Sequence, residues 1–208
     1  MDDDLRWHSA AAERNQGPIT AQLQRLLPPR GLLLEIASGT GQHAAHAAAA
    51  LAGWRWQPSD ADPGALASIG AWCRGVPGVL RPLPLDVMAS AWPGVPAAVD
   101  AIFCANLIHI APWPVCPALM QGAARHLSPA GLLVLYGPYL EAGVPTAPSN
   151  EAFNADLRSR NPAWGLRRLD AVLAAAHDAG LRWLERQAMP SNNLMLVFKP
   201  AGQARLAA

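Results

Sequence analysis

Apolar runs of strand length alternate with helix-length segments along the first two thirds of the chain, the spacing of crossover connections and a mainly parallel sheet. Leu32-Leu33-Leu34-Glu35-Ile36 reads as a buried strand, alanine-rich Gln42 to Leu51 as a helix, and Trp54-Arg55-Trp56-Gln57 as a second strand ending before Pro58. Asp62-Pro63 is an N-cap with proline at the first helical position, and Leu66, Ile69 and Trp72 share one face of the helix it opens. Gly75 to Gly78 closes that helix. Strand three, Val79 to Leu85, carries Pro82 and Pro84 and is expected to be short or ragged. Asp100 to Cys104 is a fourth strand, Pro114 to Leu127 a helix, and Leu132 to Tyr136 a fifth strand entered through Gly131, so the pattern reads βαβαβαβαβ.

Beyond Gly137-Pro138 the pattern changes. A Pro/Gly/Ser/Thr-rich stretch from Tyr139 to Asn150 leads into helical segments at Glu151 to Arg160 and Leu169 to Ala179, and residues 138–168 read as an inserted, substrate-facing segment. Leu181 to Met189 and Asn193 to Lys199 are two final strands whose short link at Pro190-Ser191-Asn192 implies an antiparallel hairpin at the sheet edge. The expected fold class is α/β, a Rossmann-like three-layer sandwich with a seven-stranded, mostly parallel sheet. It forms one domain over residues 1–200, with 201–208 a disordered tail.

Length and composition agree with one domain: 208 residues with 51% apolar content fill a single core. Charged residues make up 15% and the formal net charge is +1, which disfavours a nucleic-acid partner. The longest apolar run, Ala44 to Ala52, is far below the roughly 20 residues of a membrane span. The acidic start Met1-Asp2-Asp3-Asp4 does not read as a leader, so a cytoplasmic monomer or homodimer is expected. Cys73, Cys104 and Cys116 are odd in number and form no Cys-x-x-Cys pair, which points to reduced thiols. Lys199 is the only lysine and Pro200 follows it, so a Walker phosphate loop is absent.

The chemistry-bearing segment is Glu35-Ile36-Ala37-Ser38-Gly39-Thr40-Gly41, at the first strand-to-helix junction, where glycines let the backbone turn tightly and approach a ligand. Read as Gly39-x-Gly41-x-x-Ala44 with Asp60 nineteen residues past Gly41, it fits a dinucleotide fingerprint. Read as acid-x-small-x-Gly-x-Gly, it fits an S-adenosylmethionine loop. The second reading is favoured by Glu35 inside the strand, positioned for the glycine turn and the ammonium end of the cofactor, and by Asp86 in Leu85-Asp86-Val87, where an adenine amino group could donate. The terminal strand pair and the lack of a Tyr-x-x-x-Lys pair weigh the same way.

The chain resembles the class I SAM-dependent methyltransferase superfamily. Within it, the chain is similar from about Ser9 to Lys199 to the uncharacterised methyltransferase-like family that includes vertebrate methyltransferase-like protein 26. The residues that carry this are Glu13-Arg14-Asn15, the 35–43 loop, Trp56-Gln57-Pro58-Ser59-Asp60, Asn106-Leu107-Ile108-His109-Ile110, Tyr136-Gly137-Pro138, Pro148-Ser149-Asn150, Asn161-Pro162-Ala163-Trp164-Gly165 and Met189-Pro190-Ser191-Asn192-Asn193. The resemblance implies SAM binding and no particular acceptor. Ala37 stands where the superfamily loop has its first glycine.

The expected cofactor-binding residues are Asn15, Glu35, Ala37, Ser38, Gly39, Gly41, Asp60, Asp86, Val87, Asn106 and Leu107. Arg14 and Asn15 are read as preceding the first helix, in a segment that the resemblance folds over the cofactor. His109 and Tyr136, near the carboxyl edge of the sheet, are the catalytic candidates, with His109 as a general base. Tyr139, Asn150, Trp164, Asn192 and Asn193 are the substrate-binding candidates. Arg158, Arg160, Arg167 and Arg168 form a basic cluster, read as a solvated face or a carboxylate site. His43 and His46 lack the neighbours of a metal centre, and no metal is expected. The function so read is SAM-dependent methyl transfer to a small-molecule acceptor. Asn106-Leu107-Ile108-His109 replaces the Asn-Pro-Pro-aromatic tetrad of many nucleic-acid and protein amino methyltransferases. The alternatives are a non-catalytic SAM-binding or scaffolding module and an NAD-dependent oxidoreductase.

Overall fold

The structure is a computed structural model that describes residues 5–202. Its sheet is built from β1 (Gly31–Ile36), β2 (Trp54–Asp60), β3 (Leu83–Pro84), β4 (Val99–Ala105), β5 (Leu127–Gly137), β8 (Leu181–Met189) and β9 (Asn193–Pro200), in the order β3-β2-β1-β4-β5-β9-β8. The first five pair in parallel, and β9 inserts antiparallel between β5 and β8. The final hairpin is therefore antiparallel, with β8 alone forming the edge. This is a Rossmann-like sheet, in which the order reverses on either side of β1 and opens a crevice at the carboxyl ends of the strands.

Strands buried on both faces explain the unbroken apolar runs. Leu33, Trp56, Phe103, Val134 and Tyr136 face one side, against Ile19 and Leu23 of α1 (Ala10–Leu26) and the alanines of α2 (Gln42–Ala50). Leu34, Ile36, Ile102, Leu133 and Leu135 face the other, against Leu119 and Met120 of α4 (Val115–His126) and Val172 and Ala176 of α6 (Leu169–Asp178). α3 (Pro63–Trp72) opens as the sequence predicts, with the Asp62 carboxylate accepting from the Gly64 amide at 2.9 Å.

Several elements differ from the sequence reading. Arg14 and Asn15 do not precede the first helix; they lie inside α1, a 17-residue helix capped by Ser9. Pro18 sits within α1, where its missing N–H forgoes one helical bond while the packing of Ile19 and Leu23 holds the turn together. The βαβαβαβαβ pattern fails between β3 and β4, which are joined by turns alone. β2 continues through Pro58, β5 starts at Leu127 rather than Leu132, and strand three is two residues plus an isolated bridge between Trp56 and Val79. α5 (Pro148–Arg160) begins earlier than Glu151, and a small parallel pair, β6 (Tyr139–Leu140) with β7 (Arg167–Arg168), closes the 138–168 segment on itself. Of the expected tail, Ala201 is anchored by its N–H to the Gly180 carbonyl (2.8 Å), and residues 203–208 lie outside the described residues.

Candidate active site

The turn between β1 and α2 stands at the point where the strand order reverses. Ala37, Gly39 and Gly41 all adopt positive φ, at 53°, 57° and 90°. Gly41 has no room for a side chain, because a Cβ would lie 2.7 Å from the Ile69 backbone of α3, whereas a Cβ at Gly39 would meet nothing within 4 Å. One glycine thus serves packing, and the other leaves the backbone open to an incoming group. Below the turn the Ser59 hydroxyl donates to the Glu35 carbonyl (2.7 Å) and the Ser38 amide to the Ser59 carbonyl (2.9 Å), locking the loop to the end of β2.

Glu35 supports this turn from beneath. It is 2% exposed, and its carboxylate accepts from the Trp56 indole N–H at 2.8 Å. Burial pushes its pKa up to about 7, against the opposing hydrogen bonds from Trp56 and Ser38. The side chain is buried within the fold, so the expected contact with an ammonium group gives way to a loop-holding role.

Asp60, at the end of β2, accepts from the Gly39 amide through Oδ2 (2.9 Å) and from the Asp62 amide through Oδ1 (3.0 Å). A carboxylate offers about four acceptor positions, so capacity for a pair of hydroxyls remains. Asp86 is exposed, with Oδ1 accepting from the Met88 amide (2.8 Å) and Oδ2 unoccupied. Val87 faces the core instead of the crevice, and its carbonyl accepts from Trp92 Nε1 (3.4 Å). Asn106, after β4, adopts left-handed backbone geometry (φ 61°) with its amide bonded to the Tyr136 carbonyl, and Leu107 follows, half-buried. The open backbone at Gly39 and the remaining acceptor positions on the Asp60 and Asp86 carboxylates suit the hydroxyls and amino group of an adenosyl cofactor, and the residues fit that group.

The N-terminal segment is tied to α3 and the start of α2, through contacts the sequence reading missed. The Trp7 amide donates to Ser68 Oγ (2.8 Å), the Trp72 indole to the Trp7 carbonyl (2.7 Å) and the Ser9 amide to Gln42 Oε1 (2.7 Å). Its one legible signal is Ser9 as an N-cap before an alanine run.

Two clefts flank the hairpin turn at the same edge. In the first, of ≈ 240 Å³, α1 contributes Arg14 and Asn15, the end of β4 Asn106, α5 Ser149, Asn150 and Phe153, and the turn Ser191 and Asn193. The second, of ≈ 230 Å³, takes Tyr139, Asn150, Asn192 and Asn193 together with Glu141 and Arg186. Four of the five substrate candidates therefore converge. The exception is Trp164, which lines neither cleft and lies under the Arg160 guanidinium at 5.2 Å.

Both catalytic candidates are buried. His109 is 0% exposed with both ring nitrogens unpartnered, its ring edge-on to Tyr139 at 5.0 Å. Burial, reinforced by the Arg167 guanidinium, lowers its pKa to about 3, so it is a neutral and feeble base rather than one poised near pH 7. Tyr136 is 2% exposed among the residues under α1 and α2, and burial raises its pKa to about 12. Three of the four clustered arginines are engaged within the chain. Arg167 donates to the carbonyls of Ile108 (2.7 Å), Ala111 (2.5 Å) and Ala163 (2.9 Å), Arg168 pairs with Asp170, and Arg160 with Asp156. His43 packs edge-on to Phe103, and burial lowers its pKa to about 4. Among the described residues no three of His, Cys, Asp and Glu form a metal-holding group.

Comparison with known proteins adds a family. The profile described as "Protein of unknown function (DUF938)" matches residues 6–200. This chain belongs to DUF938. Among solved structures, the DUF938 chain is similar to the mitomycin 7-O-methyltransferase MmcR (16% identity over 92% of this chain and 55% of that one, TM-score 0.78). It is also similar to an O-methyltransferase family protein from Burkholderia thailandensis (15%, 93% and 58%, TM-score 0.77). A third is CalO1, a methyltransferase in calicheamicin biosynthesis in its SAH-bound form (15%, 88% and 54%, TM-score 0.71). The DUF938 chain spans a little over half the length of these structures, and at such identities the likeness is one of fold.

Proposed function

We propose that this DUF938 protein is a class I S-adenosylmethionine-dependent methyltransferase acting on a small-molecule acceptor in the cytoplasm, akin to the methyltransferase-like family that its sequence resembles. The observation that carries this is the open positive-φ turn at Gly39, hydrogen-bonded to Asp60 at the order reversal of a methyltransferase sheet. The SAH bound by CalO1 and the O-methyltransferase names of the other neighbours support it. When bound, S-adenosylmethionine supplies an electrophilic methyl group, which an acceptor lone pair takes as the carbon–sulfur bond breaks to leave a neutral thioether.

The chain's contribution is binding and orientation. Asp60 offers acceptors to a ribose diol, Asp86 to an adenine amino group, and the 37–41 backbone carries the amino-acid end. The polar cleft beside Asn106 holds the acceptor. Positioning alone can account for several powers of ten in rate. With His109 neutral and enclosed, no side-chain base is required for an acceptor that is deprotonated on binding or releases its proton to solvent.

Calorimetry with S-adenosylhomocysteine tests the proposal. Binding is expected at micromolar concentration, weakened about tenfold or more by Asp60→Asn. Binding of NAD with indifference to S-adenosylhomocysteine would overturn it in favour of an oxidoreductase.

A further inference from the structure

The two clefts beside the hairpin turn differ in charge. In the second, Arg186 is neutralised by a two-pronged pair with Glu141, Nε to Oε2 and Nη2 to Oε1, both at 2.6 Å. In the first, Arg14 has no ion-pair or hydrogen-bond partner among the described residues, and no Asp or Glu joins it in the lining. A single unpaired guanidinium in a carboxylate-free cleft selects one negative charge, and its planar fork matches a carboxylate.

The remaining lining adds a complementary requirement. Asn150 is 8% exposed and commits its amide N–H to the Asn192 carbonyl (3.0 Å). Asn193 commits its own to the Pro190 carbonyl (3.0 Å). These bonds fix the amide orientations; the Asn193 side chain also meets the Tyr136 hydroxyl, and the Asn150 side-chain carbonyl is left as an acceptor, to be met by a hydroxyl or amine donor. Phe153 supplies one aromatic wall, and ≈ 240 Å³ is below the roughly 300–1,000 Å³ of drug-sized pockets, which limits the occupant to few atoms.

We propose that the cleft between α1, α5 and the hairpin turn binds a small hydroxy- or amino-carboxylic acid, its carboxylate on Arg14 and its hydroxyl or amine on the side-chain carbonyl of Asn150, and that this acid is the methyl acceptor. The assignment of the acid as acceptor rests on the methyltransferase reading; the recognition of the acid does not. Asn106 closes the cleft at the end of β4, so a nucleophile held there stands at the carboxyl edge of the sheet.

The test is calorimetric binding, with and without S-adenosylhomocysteine, of matched acids and carboxamides: glycolate with glycolamide, anthranilate with anthranilamide, and 4-hydroxybenzoate with 4-hydroxybenzamide. Phenyl phosphate serves as the doubly charged competitor. At least one acid is expected to bind tenfold or more tightly than its amide. Arg14→Gln, at an exposed position with no ion-pair or hydrogen-bond partner among the described residues, should remove that preference while leaving the melting temperature unchanged. Equal affinities across every pair, an acid preference that survives Arg14→Gln, or phenyl phosphate binding above all the acids would overturn the proposal. S-adenosylhomocysteine is titrated separately. If it fails to bind while an acid preference centred on Arg14 persists, the methyltransferase reading falls, and with it the acceptor assignment, but not the acid site.

Discussion

Ala37 holds a backbone conformation that costs a non-glycine residue about 1 kcal/mol, because its Cβ crowds the neighbouring carbonyl. Ala37→Gly is therefore expected to stabilise the protein by roughly 0.5–1 kcal/mol in urea unfolding, part of the relief being offset by the freer unfolded chain. An unchanged or lower midpoint would mean that the turn relaxes without strain. Glu35 carries a second expectation. Its folded pKa of about 7 lies above the ordinary 4.5, so its contribution to stability is fully present below pH 4.5 and is lost as pH rises through 7. The size is on the order of 3 kcal/mol. Glu35→Gln should remove that slope, so the stability difference between wild type and variant, followed by urea unfolding across pH 4.5–8, should drift in favour of the variant; parallel curves would count against it. At this scale the sequence was informative about which residues gather but less so about their environment. Glu35, His109 and Tyr136 sit where the chain order suggests, yet burial decides their chemistry, and burial depends on what α1 and the 138–168 segment lay over them.

α1 was the least legible element. Arg14 and Asn15 read as preceding the first helix, and only the packing of Ile19 and Leu23 on the sheet reveals a continuous helix around them. The 138–168 segment was legible as an irregular insertion, but not as a clamp. Arg167 holds three carbonyls, two of them in the loop that follows β4, and the Gly165 amide donates to the His109 carbonyl (2.9 Å). These bonds tie the insertion to the loop that begins with Asn106. Arg167→Met is expected to cost about 1–3 kcal/mol, by the loss of charge-assisted bonds and the exposure of carbonyls without donors. Amide hydrogen exchange should then accelerate in residues 106–111 and 161–167 ahead of the sheet. Uniform acceleration would mean that the arginine supports the whole molecule instead of one loop.

Across the whole molecule, the alternation of apolar runs and helices made the sheet legible because parallel strands buried on both faces leave that imprint. The missing helix between β3 and β4 was not, since two prolines and turn residues read equally well as a ragged strand and crossover. Trp92 does the covering instead. It is 3% exposed, stacks on His126 at 5.0 Å, and packs so closely on α4 that a side chain at Gly122 would overlap its ring. Trp92→Ala should destabilise the fold by about 3–5 kcal/mol in urea, a loss larger than for any exposed tryptophan.

The borders of the sheet carry a consequence for behaviour in concentrated solution. One border, β3, is two residues long, and the other, β8, breaks register between Trp183 and Glu185 and presents the exposed Arg182. A short rim and a kinked, charged one are both poor templates for a neighbouring chain's strand, so the exposed Trp183 and Leu184 do not by themselves nucleate cross-β stacking.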